Sequence, residues 1–278
     1  MPNTILITGA SSGFGEATAR LFAERGWNVA ATMRRPEAGA ALARLDNVLV
    51  TRLDVEDQPS IEAAVAETIE RFGRIDAVVN NAGFGLMGIF EATPWAKIRE
   101  QFEVNLFGAM AVIRAVLPHL RANRSGVIAN VSSGAGGFAL PLISLYTSSK
   151  FALEGFSESL AYELADLGVR VKIVEPGGVT STGFTARSGE EASLVGGLSD
   201  YRPFLDGAGA IFQGLVKARA GATSEEVAEV IHRAVTDGTD QLRYIATEDI
   251  KPMLAMRRET SEAEYIAYMR ERFAPKIG

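Results

Sequence analysis

Short runs rich in valine and isoleucine alternate along this chain with stretches whose apolar residues recur at helical spacing. That alternation restricts the fold more than any other feature. Apolar runs occupy 4–7, 28–32, 48–50, 75–79, 127–131, 169–174 and 242–246, and helical patterns fill 13–25, 59–72, 93–120 and 145–167. Within 59–72, Ile61, Val65, Thr68, Ile69 and Phe72 fall on one helical face. Continuously apolar strands bury both faces of a sheet, and strands joined through helices run parallel. The fold class read from this is α/β, a doubly wound parallel sheet of about seven strands with helices on both faces.

Composition narrows the function. The 278 residues are 47% hydrophobic and 22% charged, with no proline-, serine- or charge-rich linker, so residues 1–278 are read as a single domain. A net charge of −6, with no basic run beyond Arg34-Arg35 and Arg257-Arg258, argues against a nucleic-acid partner. No apolar run approaches the roughly 20 residues of a membrane helix, and an apolar strand from Thr4 leaves no space for a signal peptide, so a cytoplasmic protein without a membrane span is expected. There is no cysteine, and the two histidines, His119 and His232, lie far apart, so no metal site can be assembled. His119 is expected at a helix end on the surface, and His232 on the outer face of an amphipathic segment.

Doubly wound sheets bind ligands beyond the carboxyl ends of their strands. The first strand runs into Thr8-Gly9-Ala10-Ser11-Ser12-Gly13-Phe14-Gly15, where a helix begins. Glycines allow a tight turn and close approach of a ligand, and a helix N-terminus offers free N–H groups to phosphate. The turn therefore reads as a pyrophosphate cradle, with a plain glycine-rich turn as the alternative. Strand two ends at Met33, where an acidic residue would bond the ribose of NAD. Arg34 and Arg35 follow instead, and a guanidinium suits a 2′-phosphate. NADP(H) is expected, with NAD(H) as the alternative. Leu53-Asp54-Val55 ends strand three. Asp54 can bond the adenine amino group there, or cap the helix that starts near Asp57.

Asn80-Asn81-Ala82-Gly83 ends strand four, combining turn residues with small ones that let a cofactor lie close. Ser132-Ser133 ends strand five. Tyr146 and Lys150 then stand four apart at the start of a helix, on one face. A phenol is a poor base at neutral pH, and a neighbouring ammonium is expected to lower its pKa and make it a workable proton donor and acceptor. A serine hydroxyl could hold the substrate oxygen where charge develops.

Taken together these motifs resemble the classical short-chain dehydrogenase/reductase family over about residues 4–182. The resemblance rests on Thr8 to Gly15, Asn80-Asn81-Ala82-Gly83, Val104-Asn105, Tyr146-x-x-x-Lys150 and Pro176-Gly177. It implies a Rossmann-like fold, with Tyr146 as proton donor or acceptor and Lys150 tuning it and bonding the nicotinamide ribose. Ser133, 13 residues before Tyr146, would hold the substrate oxygen, and Asn105 would anchor a relay water behind Lys150. It also implies cofactor contacts from Gly9, Ser11, Ser12, Gly13, Phe14, Gly15, Arg34, Arg35, Asp54, Val55, Asn81, Ala82, Gly83, Tyr146, Lys150, Pro176, Gly177 and Val179. A hydroxyl after Pro-Gly, Ser181 or Thr182, would bond the carboxamide. A homodimer or homotetramer through the helices around 93–120 and 145–167 is implied as well.

Residues 183–221 show no clear periodicity and, by resemblance, form a substrate loop. Their apolar content, with Phe138, Leu140, Leu142 and Ile143, points to a lipophilic ketone, aldehyde or secondary alcohol. Residues 248–275 read as a C-terminal extension of two charged amphipathic helices. Two rivals remain: a non-catalytic dinucleotide-sensing or scaffold protein, and an epimerase-type enzyme that uses its cofactor transiently.

Overall fold

In the computed structural model, which describes residues 2–179, 198–218 and 222–275, seven parallel strands lie in the order β3-β2-β1-β4-β5-β6-β7. They are β1 Thr4–Ile7, β2 Asn28–Met33, β3 Val48–Arg52, β4 Ala77–Asn80, β5 Gly126–Val131, β6 Val169–Glu175 and β7 Arg243–Ile245. Ile7 of β1 sits opposite Ala31 of β2 and Val79 of β4, so the strand order reverses at β1/β4 and opens a crevice beyond their carboxyl ends.

The side chains of β1 alternate across the sheet, and each face recruits its own helices. Ile5 and Ile7 meet Phe22 and Ala19 of α1 (Gly13–Glu24) and Ile231 and Ala234 of α7 (Ser224–Thr236). Leu6 faces the other way, into a cluster with Ile61 of α2 (Gln58–Phe72), Val112 and Val116 of α4 (Gly108–Asn123), and Leu160 and Leu164 of α5 (Ser144–Leu164). A side chain such as Phe22, fully buried at this density, is worth about 3–5 kcal/mol against alanine.

The single helix expected over 93–120 is divided. Helix α3 (Trp95–Phe102) runs into a π-helical turn, Glu103–Phe107, before α4 begins. The whole run Trp95–Asn123 has a window of mean hydropathy 1.2, enough by length and composition to cross a bilayer, which the residue-by-residue reading did not anticipate. Here Val112, Ile113, Val116 and Leu120 bury that apolar face on the sheet.

The segment 183–221 is not irregular throughout. Its glycines and alanines hide a helix, α6 (Arg202–Ala218), whose Ile211 and Leu215 pack onto the C-terminal cluster of Phe138, Leu254, Tyr265 and Met269. The extension expected from 248 forms α8 (Lys251–Glu259) and α9 (Glu262–Phe273), the latter started by a capping box of Ser261 and Glu264. Both histidines are more enclosed than expected. His119 Nε2 accepts the Ile75 amide at 3.0 Å, which takes Ile75 out of the β4 ladder, and the ring of His232 packs against Phe22 with centroids 4.9 Å apart.

Candidate active site

The turn after β1 is held open for a ligand by glycines that nothing larger can replace. Gly9 and Gly13 have φ of +68° and +56°, the left-handed region that glycine tolerates. A Cβ on Gly15 would stand 2.3 Å from the Gly9 carbonyl oxygen and 2.6 Å from Asn81 Nδ2. Ser12 begins α1 without a side-chain cap, leaving the first amides of the helix to a bound group. Thr8 Oγ1 accepts the amides of Asn81 and Ala82 at 3.0 Å each, and Asn81 Nδ2 donates back to the Thr8 carbonyl, so the ends of β1 and β4 are stitched into one floor. Ser11 and Ser12 are exposed beside it, and Phe14 packs its ring onto the core.

At the far edge, Arg34 and Arg35 are exposed after β2. Arg34 lies close enough to Glu56 to oppose the rise that burial, and then the charge of Asp54, impose on that carboxyl. Asp54 Oδ1 accepts the Glu56 amide at 3.2 Å, while Asp57 rather than Asp54 stands at the cap position of α2. Val55 is half-buried against Gly108.

The ends of β4 and β5 converge on α5. Asn105, turned inward by the π-helical turn, accepts the Phe84 amide at 3.0 Å and donates to the Phe84 carbonyl at 2.9 Å and Ser149 Oγ at 3.1 Å. Both of its amide hydrogens are thus engaged by protein, so its side chain braces the end of β4 against α5. A Cβ on Gly83 would lie 3.2 Å from Asn105 Oδ1 and 3.8 Å from Lys150 Nζ, so the strand-four motif, Asn105 and Lys150 meet. Such π turns occur often at functional sites.

Tyr146 and Lys150 are both buried on the inner face of α5. Lys150 Nζ donates to the Val131 carbonyl at 2.9 Å and lies 5.9 Å from the centre of the Tyr146 ring. Ser133 is hydrogen-bonded to the Tyr146 phenol, whereas Ser132 turns away to Glu154 at 2.8 Å. The expected fall in the Tyr146 pKa does not occur in the protein alone. Burial pushes it up to about 12, only partly opposed by Ser133, and burial lowers Lys150 to about 8, partly opposed by Glu154. Desolvation is the largest influence on both groups, and Lys150 engages the Val131 carbonyl with one of its protons.

The Pro176-Gly177 turn after β6 is held from the C-terminal extension. Thr247 Oγ1 accepts the Gly177 amide at 2.8 Å and Asp249 Oδ2 the Gly178 amide at 3.0 Å. Val179 is buried in the core beside it. Ser181 and Thr182 lie outside the described residues. On the substrate side, Leu142 adopts φ +63°, a strained conformation for a branched side chain, and its carbonyl receives the Gly88 amide at 2.8 Å. Tyr201, just before α6, donates to Glu91 at 2.9 Å.

Several residues of this site carried no recognisable motif: Glu154, Glu175, Arg243, Thr247 and Asp249. Only Glu154 left a signal, standing four residues after Lys150 on the same helical face.

The donor set fits a dinucleotide: a glycine cradle at a helix N-terminus, small residues at the crevice, and a phenol, an ammonium and a hydroxyl where a reacting carbon would lie. Residues 3–193 match the family model described as short chain dehydrogenase. The 3-ketodihydrosphingosine reductase of Bacteroides thetaiotaomicron is 40% identical over 200 residues, 72% of each chain. A short-chain dehydrogenase from Streptomyces avermitilis superposes with a TM-score of 0.81 at 33% identity, covering 97% of this chain and 98% of that one. An alcohol dehydrogenase from the archaeon Thermococcus sibiricus, solved with 5-hydroxy-NADP, gives 0.71 at 25% identity, covering 88% and 96%. A structure of the same fold has also been solved with NADH.

Proposed function

Since the chain belongs to the short-chain dehydrogenase family, and is thereby an NAD(P)-dependent oxidoreductase acting on CH–OH or C=O groups, we propose that it reduces a lipophilic ketone or aldehyde with NADPH, using Tyr146, Lys150 and Ser133. The observation that carries this reading is the convergence of those three side chains at the end of β5, beside the glycine turn after β1. The nicotinamide supplies or accepts the hydride. The protein has the remaining tasks. Ser133 Oγ holds the substrate oxygen. The Tyr146 phenol, protonated at neutral pH at its ordinary pKa and more firmly so when buried, is in the state that donates to a carbonyl oxygen as charge grows there. Lys150 is the cation that stabilises the phenolate left behind.

Support for NADPH comes from Arg34 and Arg35 where an acidic residue would repel a 2′-phosphate, and from the NADP derivative held by the Thermococcus sibiricus relative. Support for a lipophilic substrate comes from the half-buried Leu142 and Ile143 just ahead of Tyr146 and from the 3-ketodihydrosphingosine reductase among the relatives. Exposed Phe107, Phe151 and Tyr162 on the outer faces of the helical run to α4 and of α5 support a homodimer or homotetramer through those helices. We place the protein in the cytoplasm. The test is the oxidation of NADPH and of NADH, followed by absorbance, against ketones and aldehydes of increasing chain length. Turnover rising with apolar chain length and favouring NADPH is expected. Turnover confined to small polar carbonyls, or none with any carbonyl or alcohol despite cofactor binding, would overturn the reading.

A further inference from the structure

Three successive residues at the end of β5 are gripped by three residues spaced four apart on α5. Ser133 bonds Tyr146, the Val131 carbonyl takes Lys150, and Ser132 Oγ donates to Glu154 Oε1 at 2.8 Å. The first two contacts belong to the acid–base site, whereas the third has no part in the chemistry described above. Glu154 is nonetheless buried, 4% exposed, and tightly enclosed: a Cβ on Gly136 would fall 2.2 Å from Glu154 Oε1 and 2.5 Å from Ser132 Oγ. Its other oxygen receives Arg243 Nε of β7 at 3.0 Å, and that guanidinium reaches on to Glu158, one turn further along α5. Burial, and then the charge of a second buried carboxylate, Glu175 at the end of β6, raise the Glu154 carboxyl; Ser132 and Arg243 oppose that rise and favour the anion, and Glu175 is itself held by Arg258 of α8. An ionisable group is costly to bury unless it is paired, and a surface glutamate would serve the helix as well as this one.

We propose that Glu154 is a positioning residue of the acid–base site: through Ser132 it fixes the strand end that presents Ser133, and as the anion one helical turn from Lys150 it supports the lysine as an ammonium, with Arg243 tying this support to the C-terminal part of the chain. The inference rests on the reading of Tyr146, Lys150 and Ser133 given above. Among the described residues, the groups around Lys150 are Tyr146 and Glu154 on its own helix and the uncharged Asn105, Gly83 and Val131 on the elements packed against it. Those around Glu154 are Lys150, Glu158, Ser132, Arg243 and Glu175, with Arg258 behind Glu175. Glu154 is thus the anion that opposes the desolvation of Lys150.

The substitution Glu154→Gln keeps an oxygen for Ser132 and removes the charge. In the cofactor-free protein, the ε-carbon of Lys150, assigned by its loss in Lys150→Arg, is followed by 13C NMR from about pH 6 to 11. The Lys150 midpoint is expected to fall by about one pH unit in Glu154→Gln. The kcat of the full enzyme is expected to drop about fivefold more at pH 8 than at pH 6, with KM unchanged. A midpoint equal to that of wild type in folded Glu154→Gln protein overturns the proposal. If that variant does not fold, Ser132→Ala tests the other half: kcat falls about fivefold at constant cofactor affinity, and an unchanged kcat counts against it. The Lys150 midpoint does not depend on turnover, so it can fail while Tyr146→Phe still abolishes activity. Conversely, an active Tyr146→Phe enzyme defeats the underlying reading whatever the midpoint does.

Discussion

The two halves of the sheet's carboxyl edge are built from different chemistry. On the side of β1, β2 and β3 the ligand floor is backbone, glycine and small amides, and the side chains buried there are neutral: Thr8, Thr32 and Thr51. On the side of β5 and β6, Lys150, Glu154, Lys172 and Glu175 are all buried, and among the described residues every fully buried charge lies in α5 or β6. A backbone cradle binds by shape and fixed dipoles and is indifferent to pH. A buried ionic cluster sets protonation states and responds to any change in its partners. The first half suits holding a cofactor, and the second suits moving a proton.

That contrast can be broken in four places. The largest effect is expected from Gly15→Val, which drives a side chain into the Gly9 carbonyl. Cofactor affinity measured by fluorescence titration should fall by more than about a hundredfold, near 3 kcal/mol, equally at pH 6 and pH 9. A loss that varied with pH would show that the first half is not the neutral scaffold described.

Next comes Lys150. Its pKa of about 8 in the protein lies below its ordinary value of 10.5, so between the two the unfolded chain binds a proton that the folded chain does not. Stability must therefore rise with pH across that window. Relative to Lys150→Met, the wild type should gain up to about 3 kcal/mol between pH 8 and 10.5, read from urea denaturation. Parallel pH profiles would mean that Lys150 is not desolvated.

Arg258→Ala leaves Glu175 buried without its partner. It should cost about 2 kcal/mol of stability, because one member of a buried pair is stranded, and adding Glu175→Gln should recover most of the loss. If the double substitution is no better than the single one, the cost lies in packing of the arginine stem. The smallest effect is expected for Arg34→Ala. NADPH affinity should drop about tenfold, or 1.4 kcal/mol, with NADH unaffected, and equal loss for both would remove the 2′-phosphate explanation.

The same contrast explains what could be read from the sequence. The strands, their parallel arrangement and the turn from Thr8 to Gly15 are local patterns, and they stand where the periodicity put them. Tyr146 and Lys150 were visible as a spacing on one helix. Their protonation was not, because it depends on how deeply α5 is covered and on where Lys150 Nζ points. Pairs such as Arg243 with Glu154 and Arg258 with Glu175 join residues more than eighty positions apart, and no local pattern carries them. Helix α6 escaped because its glycines and alanines blur a helical stripe. The enclosure of His119 and His232 came from neighbours, Ile75 and Phe22, in distant segments. The π turn that directs Asn105 inward has no residue signature to find.

The proton carried by Tyr146 is the central step of the proposed reaction. Single-turnover oxidation of bound NADPH by a carbonyl substrate, in Tyr146→Phe beside wild type and with cofactor affinity measured in both, isolates that step. A loss of at least about a thousandfold in the rate at unchanged NADPH affinity is predicted. Hydride transfer within about tenfold of wild type would contradict it and place the proton donor elsewhere in the site.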